Sequence, residues 1–254
     1  MTGGIIGFLR FAAGAIISIL SAAVIIITLP VKAKSGTLFH AISRFWARAV
    51  LAAGGVSVTL RGLDKLDLSC SYVYVSNHAS MFDIPAILAS VPDQIRIVYK
   101  KELEVIPVFG WGLKWGSYIG IDRRRGAEAM RSLEEAVRKI RNGASVLLFA
   151  EGTRTQDGHL QPFKRGAFNI AVRAGIPVVP LTINGTYPIL PKGSMVVRPK
   201  PVELVFETPI PVEGTGKDEE MRLMEKVHEA IARNYVDQAP EEGDHTGGEH
   251  GSHP

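Results

Sequence analysis

The chain has 254 residues, 46% hydrophobic and 21% charged, enough for one domain with an ample core plus an appendage. A single cysteine, Cys70, excludes an internal disulfide framework and a cysteine-rich zinc site, and suits a reducing compartment. The net charge of +4 conceals an acidic end: beyond Glu241 there is no Lys or Arg, and the rest of the chain sets 29 basic residues against 21 acids, a balance that favours phosphorylated ligands, lipid headgroups or nucleic acid.

From Phe11 to Val31 the chain carries no charge, and at ~1.5 Å per residue such a helix matches the hydrocarbon thickness of a bilayer. A cleaved signal peptide would have a shorter apolar region and a more basic start, and few soluble cores need so uniformly apolar a helix. Membrane insertion fits better. Only Arg10 precedes the segment, whereas Lys32, Lys34, Arg44 and Arg48 follow it, which directs the bulk of the protein to the cytoplasm. Thr37–Gly54 has a helical pattern with His40, Arg44 and Arg48 in one stripe among Leu38, Phe45 and Trp46. That pattern suits a headgroup-level amphipathic helix, although a helix packed on the domain reads the same. Residues 1–54 are therefore expected to form a two-helix membrane anchor, and crossing the bilayer or dipping into one leaflet are both open.

Beyond Gly54-Gly55 come short apolar runs: Val56–Arg61, Tyr72–Ser76, Ile95–Tyr99, Ser117–Ile121, Ser145–Ala150, Val178–Ile183 and Val202–Glu207. Helical patterns lie at Ser80–Ser90, Gly126–Arg141, Gly166–Ala174 and Lys217–Asn234. The alternation predicts an α/β domain over 55–238, a largely parallel sheet with helices on both faces. The Gly-rich polar tail, 239–254, is expected to be disordered.

One strand runs into Asn77-His78-Ala-Ser-Met-Phe-Asp83. Residues five apart do not share a helix face, so His78 and Asp83 meet only if the chain turns between them, and Pro85 disfavours helical geometry at Ile84. The other reading is a capping box, with Ser80 and Asp83 tidying a helix start. A second strand runs into Glu151-Gly152-Thr153-Arg154, at the strand end where open parallel sheets bind ligands. Gly152 permits close backbone approach, and Arg154 has a planar fork suited to phosphate. Lys164, Arg165 and Gly166 open the next helix, where an anion can sit. Lys100, Lys101 and Arg123 bound a third, glycine-spaced stretch, Lys100 to Arg125.

These motifs, in this order, resemble the bacterial 1-acylglycerol-3-phosphate acyltransferases of the glycerolipid acyltransferase superfamily. Asn77-His78 with Asp83 is the N-H-x4-D motif; Lys100–Gly110 continuing to Gly120–Arg123 is similar to the second motif, Phe149–Arg154 to the third and Ile176–Pro180 to the fourth. The resemblance implies transfer of a fatty acyl group from an acyl carrier protein or coenzyme A thioester to the sn-2 hydroxyl of 1-acylglycerol 3-phosphate (lysophosphatidic acid), giving phosphatidic acid for phospholipid biosynthesis at the cell inner membrane. It also implies His78 as general base, Asp83 as its orienting partner, and Glu151–Arg154 with Lys100 or Lys101 and Arg123 on the acceptor phosphate. A thioester is already activated, so no metal or other cofactor is demanded. Another lysolipid acceptor, such as lyso-ornithine lipid, is the nearest alternative. A serine hydrolase would need a G-x-S-x-G elbow, which the chain lacks. A lipid-binding protein would not need the base, and no nucleic-acid-binding module is recognisable.

Overall fold

The computed structural model describes residues 2–28, 37–116, 118–122 and 127–237. The expected disordered tail, Arg123, Lys32 and Lys34 lie outside them. Seven strands build one sheet: β1 (Val58–Arg61), β2 (Val73–Ser76), β3 (Arg96–Lys100), β4 (Ile119–Ile121), β5 (Val146–Phe149), β6 (Val178–Asn184) and β7 (Val202–Phe206). Their spatial order is β1-β7-β6-β2-β5-β3-β4. From β6 to β4 every neighbouring pair is parallel, while β7 runs antiparallel to β6 and carries the parallel β1 with it.

The helices are α1 (Thr2–Thr28), α2 (Thr37–Gly54), α3 (Asp83–Ser90), α4 (Phe109–Trp115), α5 (Ala127–Arg141), α6 (Arg165–Ala174) and α7 (Gly216–Asn234). Side chains alternate across the sheet, so successive residues of β2 serve different cores. Tyr74 joins Leu147 and Leu181 beneath α2 and α3. Val73 and Val75 join Val146 and Leu148 beneath α5, α6 and α7. Burial on both faces explains why the central strands are apolar runs without alternation.

Three expectations change. The helix after β2 starts at Asp83 rather than Ser80, and it runs straight through Pro85. A proline in the first helical turn gives up an N–H that has no helical acceptor, so Ile84 tolerates it. Helix α4 has no counterpart among the predicted elements, because its sequence FGWGLKW holds two glycines, poor helix formers. They serve packing instead: a Cβ on Gly112 would stand 3.1 Å from that of Ala22 in α1. Finally, α2 is built into the domain, since Ala47, Val50 and Leu51 belong to its core. Its expected polar stripe is not simply outward, for Arg44 reaches the carbonyl of Ala89 at 3.5 Å.

Helix α1 is long and apolar enough to cross a membrane. It is nevertheless docked along its length. Val197 donates a backbone hydrogen bond to Gly7 at 3.1 Å, and Trp46 donates to the Ser18 hydroxyl at 3.0 Å. The outward side remains apolar, with Ile5, Leu9, Ile16, Leu20 and Ile27 all more than half exposed.

Gly185 ends β6 at φ +88, and a Cβ there would run into the carbonyl oxygen of Pro201. We expect Gly185→Ala to lower unfolding free energy by roughly 1–3 kcal/mol, from backbone strain and the clash. Chemical denaturation of the purified variant measures it, and a loss below about 0.5 kcal/mol would contradict the assigned geometry.

Candidate active site

The carboxyl ends of β2, β3 and β5 converge on one cleft. Between β2 and α3 the chain turns through Ala79–Phe82, and this turn brings the histidine and aspartate together: His78 Nδ1 lies 2.6 Å from Asp83 Oδ2. The same oxygen accepts the backbone N–H groups of Ala79 at 2.8 Å and Ser80 at 3.0 Å. Asp83 thus both orders the helix start and orients the imidazole, so the two sequence readings are one structure. Ser80 does not cap α3; its hydroxyl donates to the Leu190 carbonyl at 3.1 Å. The side chain of Asp83 is 0% exposed and that of His78 17%, so only the histidine is reachable from solvent. The imidazole stacks on Phe149 with ring centroids 3.8 Å apart and planes 14° from parallel. With Nδ1 committed to Asp83, Nε2 is the nitrogen left for the cleft.

Two buried side chains hold this loop. The Asn77 amide donates to the Ile183 carbonyl at 2.9 Å and accepts the Ile183 N–H at 2.8 Å, as a neighbouring strand would. Glu151 accepts the N–H of His78 at 2.6 Å and that of Gln161 at 3.2 Å, joining the β2 and β5 loops. Burial pushes its carboxyl up to about 7, against the lowering effect of those two hydrogen bonds and with repulsion from Asp83 and Asp157 adding to the rise. The expected phosphate role does not suit Glu151. It is 3% exposed and turned inward, and a carboxylate would repel a phosphate.

The cleft has a volume of about 960 Å3 and is lined by His78, Lys100, Gly152, Thr153, Arg154 and Lys164, among others. Gly152, at φ +76, makes the left-handed turn that brings Thr153 and Arg154 to the mouth. Lys100 lines the cleft and Lys101 does not, which separates two candidates that sequence left equal. Arg165 and Gly166 line it too, but Arg165 forks onto buried Glu220 through Nε at 3.1 Å and Nη2 at 2.9 Å. Its first partner is therefore structural. Lys192 was not anticipated; the connection from β6 to β7 brings it to the same cleft. In sequence its flanking Pro191 and Gly193 mark a turn and nothing more. Among the described residues Lys100, Arg154, Lys164 and Lys192 have no carboxylate in ion-pair range, so the cleft, whose lining carboxylates are buried Asp122 and Arg165-paired Glu220, has a net positive mouth. The walls below are apolar, including Ile84, Val98, Ile121, Leu133 and Leu148. No group of side chains that could hold a metal occurs among the described residues.

A histidine oriented by a buried carboxylate, beneath a basic rim and above apolar walls, is equipped to activate a hydroxyl in a molecule that is anionic at one end and greasy at the other. The chain belongs to the Acyltransferase family, whose model matches residues 57–184. It is 37% identical to 1-acyl-sn-glycerol-3-phosphate acyltransferase BAT2, chloroplastic, of Brassica napus, over 67% of this chain and 50% of that protein. With the human 1-acyl-sn-glycerol-3-phosphate acyltransferase alpha it shares 30% identity over 70% of this chain and 63% of that one. The chain spans about half the length of the Brassica relative. Among solved structures, the 1-acyl-sn-glycerophosphate (LPA) acyltransferase PlsC from Thermotoga maritima matches with a TM-score of 0.76 and 28% identity, covering 91% of this chain and 94% of that one.

Because the folded chain holds the Glu151 proton up to about pH 7, the stability that protonation supplies is complete below the ordinary carboxyl range and is lost as pH rises to about 7. We expect the wild type to lose stability relative to Glu151→Gln across that window, with no further relative change above it. Denaturation midpoints at pH 4.5, 6 and 8 check this, and a constant difference would contradict a proton held by Glu151.

Proposed function

We propose that the protein transfers a fatty acyl group from an acyl thioester to the sn-2 hydroxyl of 1-acylglycerol 3-phosphate, producing phosphatidic acid. The observation that carries this reading is the 2.6 Å contact between His78 and buried Asp83 at the foot of a cationic cleft. The names of the relatives support the choice of acceptor. Nδ1–H donates to Asp83, which leaves the Nε2 lone pair to take the acceptor's hydroxyl proton as its oxygen attacks the thioester carbonyl. The tetrahedral intermediate then collapses with cleavage of the C–S bond, and the imidazolium returns its proton to the departing thiolate. Asp83 keeps the imidazole in one tautomer and stabilises the imidazolium between the two steps. Arg154, Lys100 and Lys192 serve the acceptor phosphate, and the apolar walls serve carbon chains. The donor is the thioester of coenzyme A or of acyl carrier protein, and the chemistry needs no cofactor.

The same reading brings the protein to a lipid surface. The exposed apolar side of α1, with Val105, Trp111 and Trp115 beside it, forms a face that enters a bilayer while the domain stays attached. Because α1 is held at Gly7, Ser18 and Ala22, it enters one leaflet alongside the domain instead of standing free across the membrane. We assign that membrane to the cell inner membrane, with the catalytic domain toward the cytoplasm.

Purified protein is assayed with an acyl thioester and 1-acylglycerol 3-phosphate, and phosphatidic acid is measured by mass spectrometry. Wild type is expected to form it, and His78→Ala to lose roughly 10²–10⁴-fold in kcat with folding intact. Activity within a few-fold of wild type would remove His78 as the base. Arg154→Ala should raise KM for the lysolipid about 10- to 100-fold, the worth of a charged hydrogen bond, and leave KM for the thioester nearly unchanged. Equal losses for both substrates would take Arg154 out of the phosphate site.

A further inference from the structure

Met130 and Leu133 of α5 and Ile170 of α6 line the cleft below His78, and about one turn further along the same two helices Val137 and Arg173 line a second cavity of about 490 Å3. Arg173 joins the two. It lines the second cavity, and its Nη1 lies 3.6 Å from the sulfur of Met130 in the first. The two cavities thus follow one another along the α5–α6 seam, the first at the imidazole and the second nearer the opposite end of the sheet.

The far end of this seam is cationic. Arg138, Arg141 and Arg173 line it, against one carboxylate, Glu134. Among the described residues none of the three guanidinium groups lies in ion-pair range of a carboxylate, and nearby Glu135 is tied to Lys139 at 3.0 Å. Arg141 Nη2 donates to the Arg173 carbonyl at 2.6 Å, which fixes one fork at the cavity wall. The catalytic reading above leaves this cluster unused. Unpaired arginines gathered at a cavity constitute an anion site, since planar forks match phosphate oxygens.

We propose that the pantetheine arm of an acyl-coenzyme A donor lies along the α5–α6 seam from the cleft, and that the arginine cavity holds the phosphates of its nucleotide end. The inference rests on the acyltransferase reading. Length supports it: from Arg165, level with the catalytic loop, to Arg173 an α-helix rises about 12 Å. An extended pantetheine arm has the reach of about four extended residues, roughly 13–14 Å. Size supports it as well, because about 490 Å3 falls inside the roughly 300–1,000 Å3 of small-molecule sites. Charge separates the two thioester carriers. Coenzyme A brings three phosphate groups on a nucleotide that fits inside a cavity, whereas a carrier protein brings one phosphodiester attached to a folded surface.

The test uses the full-length protein with saturating 1-acylglycerol 3-phosphate and four donors carrying the same acyl chain: acyl-coenzyme A, its 3′-dephospho analogue, acyl-pantetheine and acyl carrier protein. Arg138→Gln/Arg173→Gln is expected to raise KM for acyl-coenzyme A at least tenfold, with kcat within twofold and acceptor KM unchanged. Acyl-pantetheine, which has no phosphate, should serve wild type and variant equally, and the dephospho analogue should lose less than acyl-coenzyme A. Unchanged acyl-coenzyme A kinetics, or equal losses for acyl-coenzyme A and acyl-pantetheine, would overturn the proposal. A loss confined to acyl carrier protein would also overturn it, by assigning the arginines to an acidic protein. If wild type transfers no acyl group from any donor, the functional reading fails instead, and calorimetry with coenzyme A alone decides the site. Binding at least tenfold weaker in the variant sustains it, and no binding to wild type sinks it.

Discussion

Asp83 keeps a carboxylate in the protein core, where an unpartnered charge would be very costly. Its Oδ2 accepts from the His78 ring and from two backbone N–H groups, and these three contacts fix the ring and the turn around it in a single arrangement. Everything about the site follows from keeping that turn in place. Asn77 ties its start to β6, Glu151 ties His78 to the β5 loop, and Ser80 ties its middle to the connection beyond β6. Three pieces of chain distant in sequence thus depend on a small polar network centred on one oxygen of Asp83, while its other oxygen is buried with no hydrogen-bond partner among the described residues.

The parallel core of the sheet explains where the charge sits. With β2, β5 and β3 pointing the same way, their following loops collect at one end, and Lys100, Arg154 and His78 reach a common cleft. The helix layers do the opposite work. On one face α1 and α2 present apolar side chains outward, beyond what a water-soluble surface needs. On the other face α5 and α6 leave a cavity lined by arginines. Under the proposed function, a lipid acceptor and a phosphorylated donor arrive at His78 from different sides.

Sequence disclosed the elements whose pattern follows from burial on both faces of the sheet, and all seven strands occur where apolar runs predict them. The candidate site was legible only as residue types at strand ends. Asp83 looked like a helix cap or a catalytic partner because it is both, and spacing alone does not separate two uses of one oxygen. Helix α4 was hidden because Gly110 and Gly112 lower helix propensity, and the contact with Ala22 that calls for Gly112 lies in a distant helix. Glu151 looked like a phosphate ligand because its neighbours Gly152 to Arg154 face the cleft. Only the fold shows that its side chain turns inward onto His78. Long-range packing brings Lys192 to the cleft and Arg173 to the Arg138–Arg141 turn of α5, and neither meeting has a local signature.

The orientation of one imidazole is the central claim, and nitrogen-resolved NMR of the histidine side chains in wild type and Asp83→Asn tests it most directly. The account predicts that His78 carries its proton on Nδ1 in the neutral ring, with a strongly deshielded proton signal that is lost in Asp83→Asn. A His78 ring protonated on Nε2, or one whose signals ignore the Asp83 substitution, would contradict it.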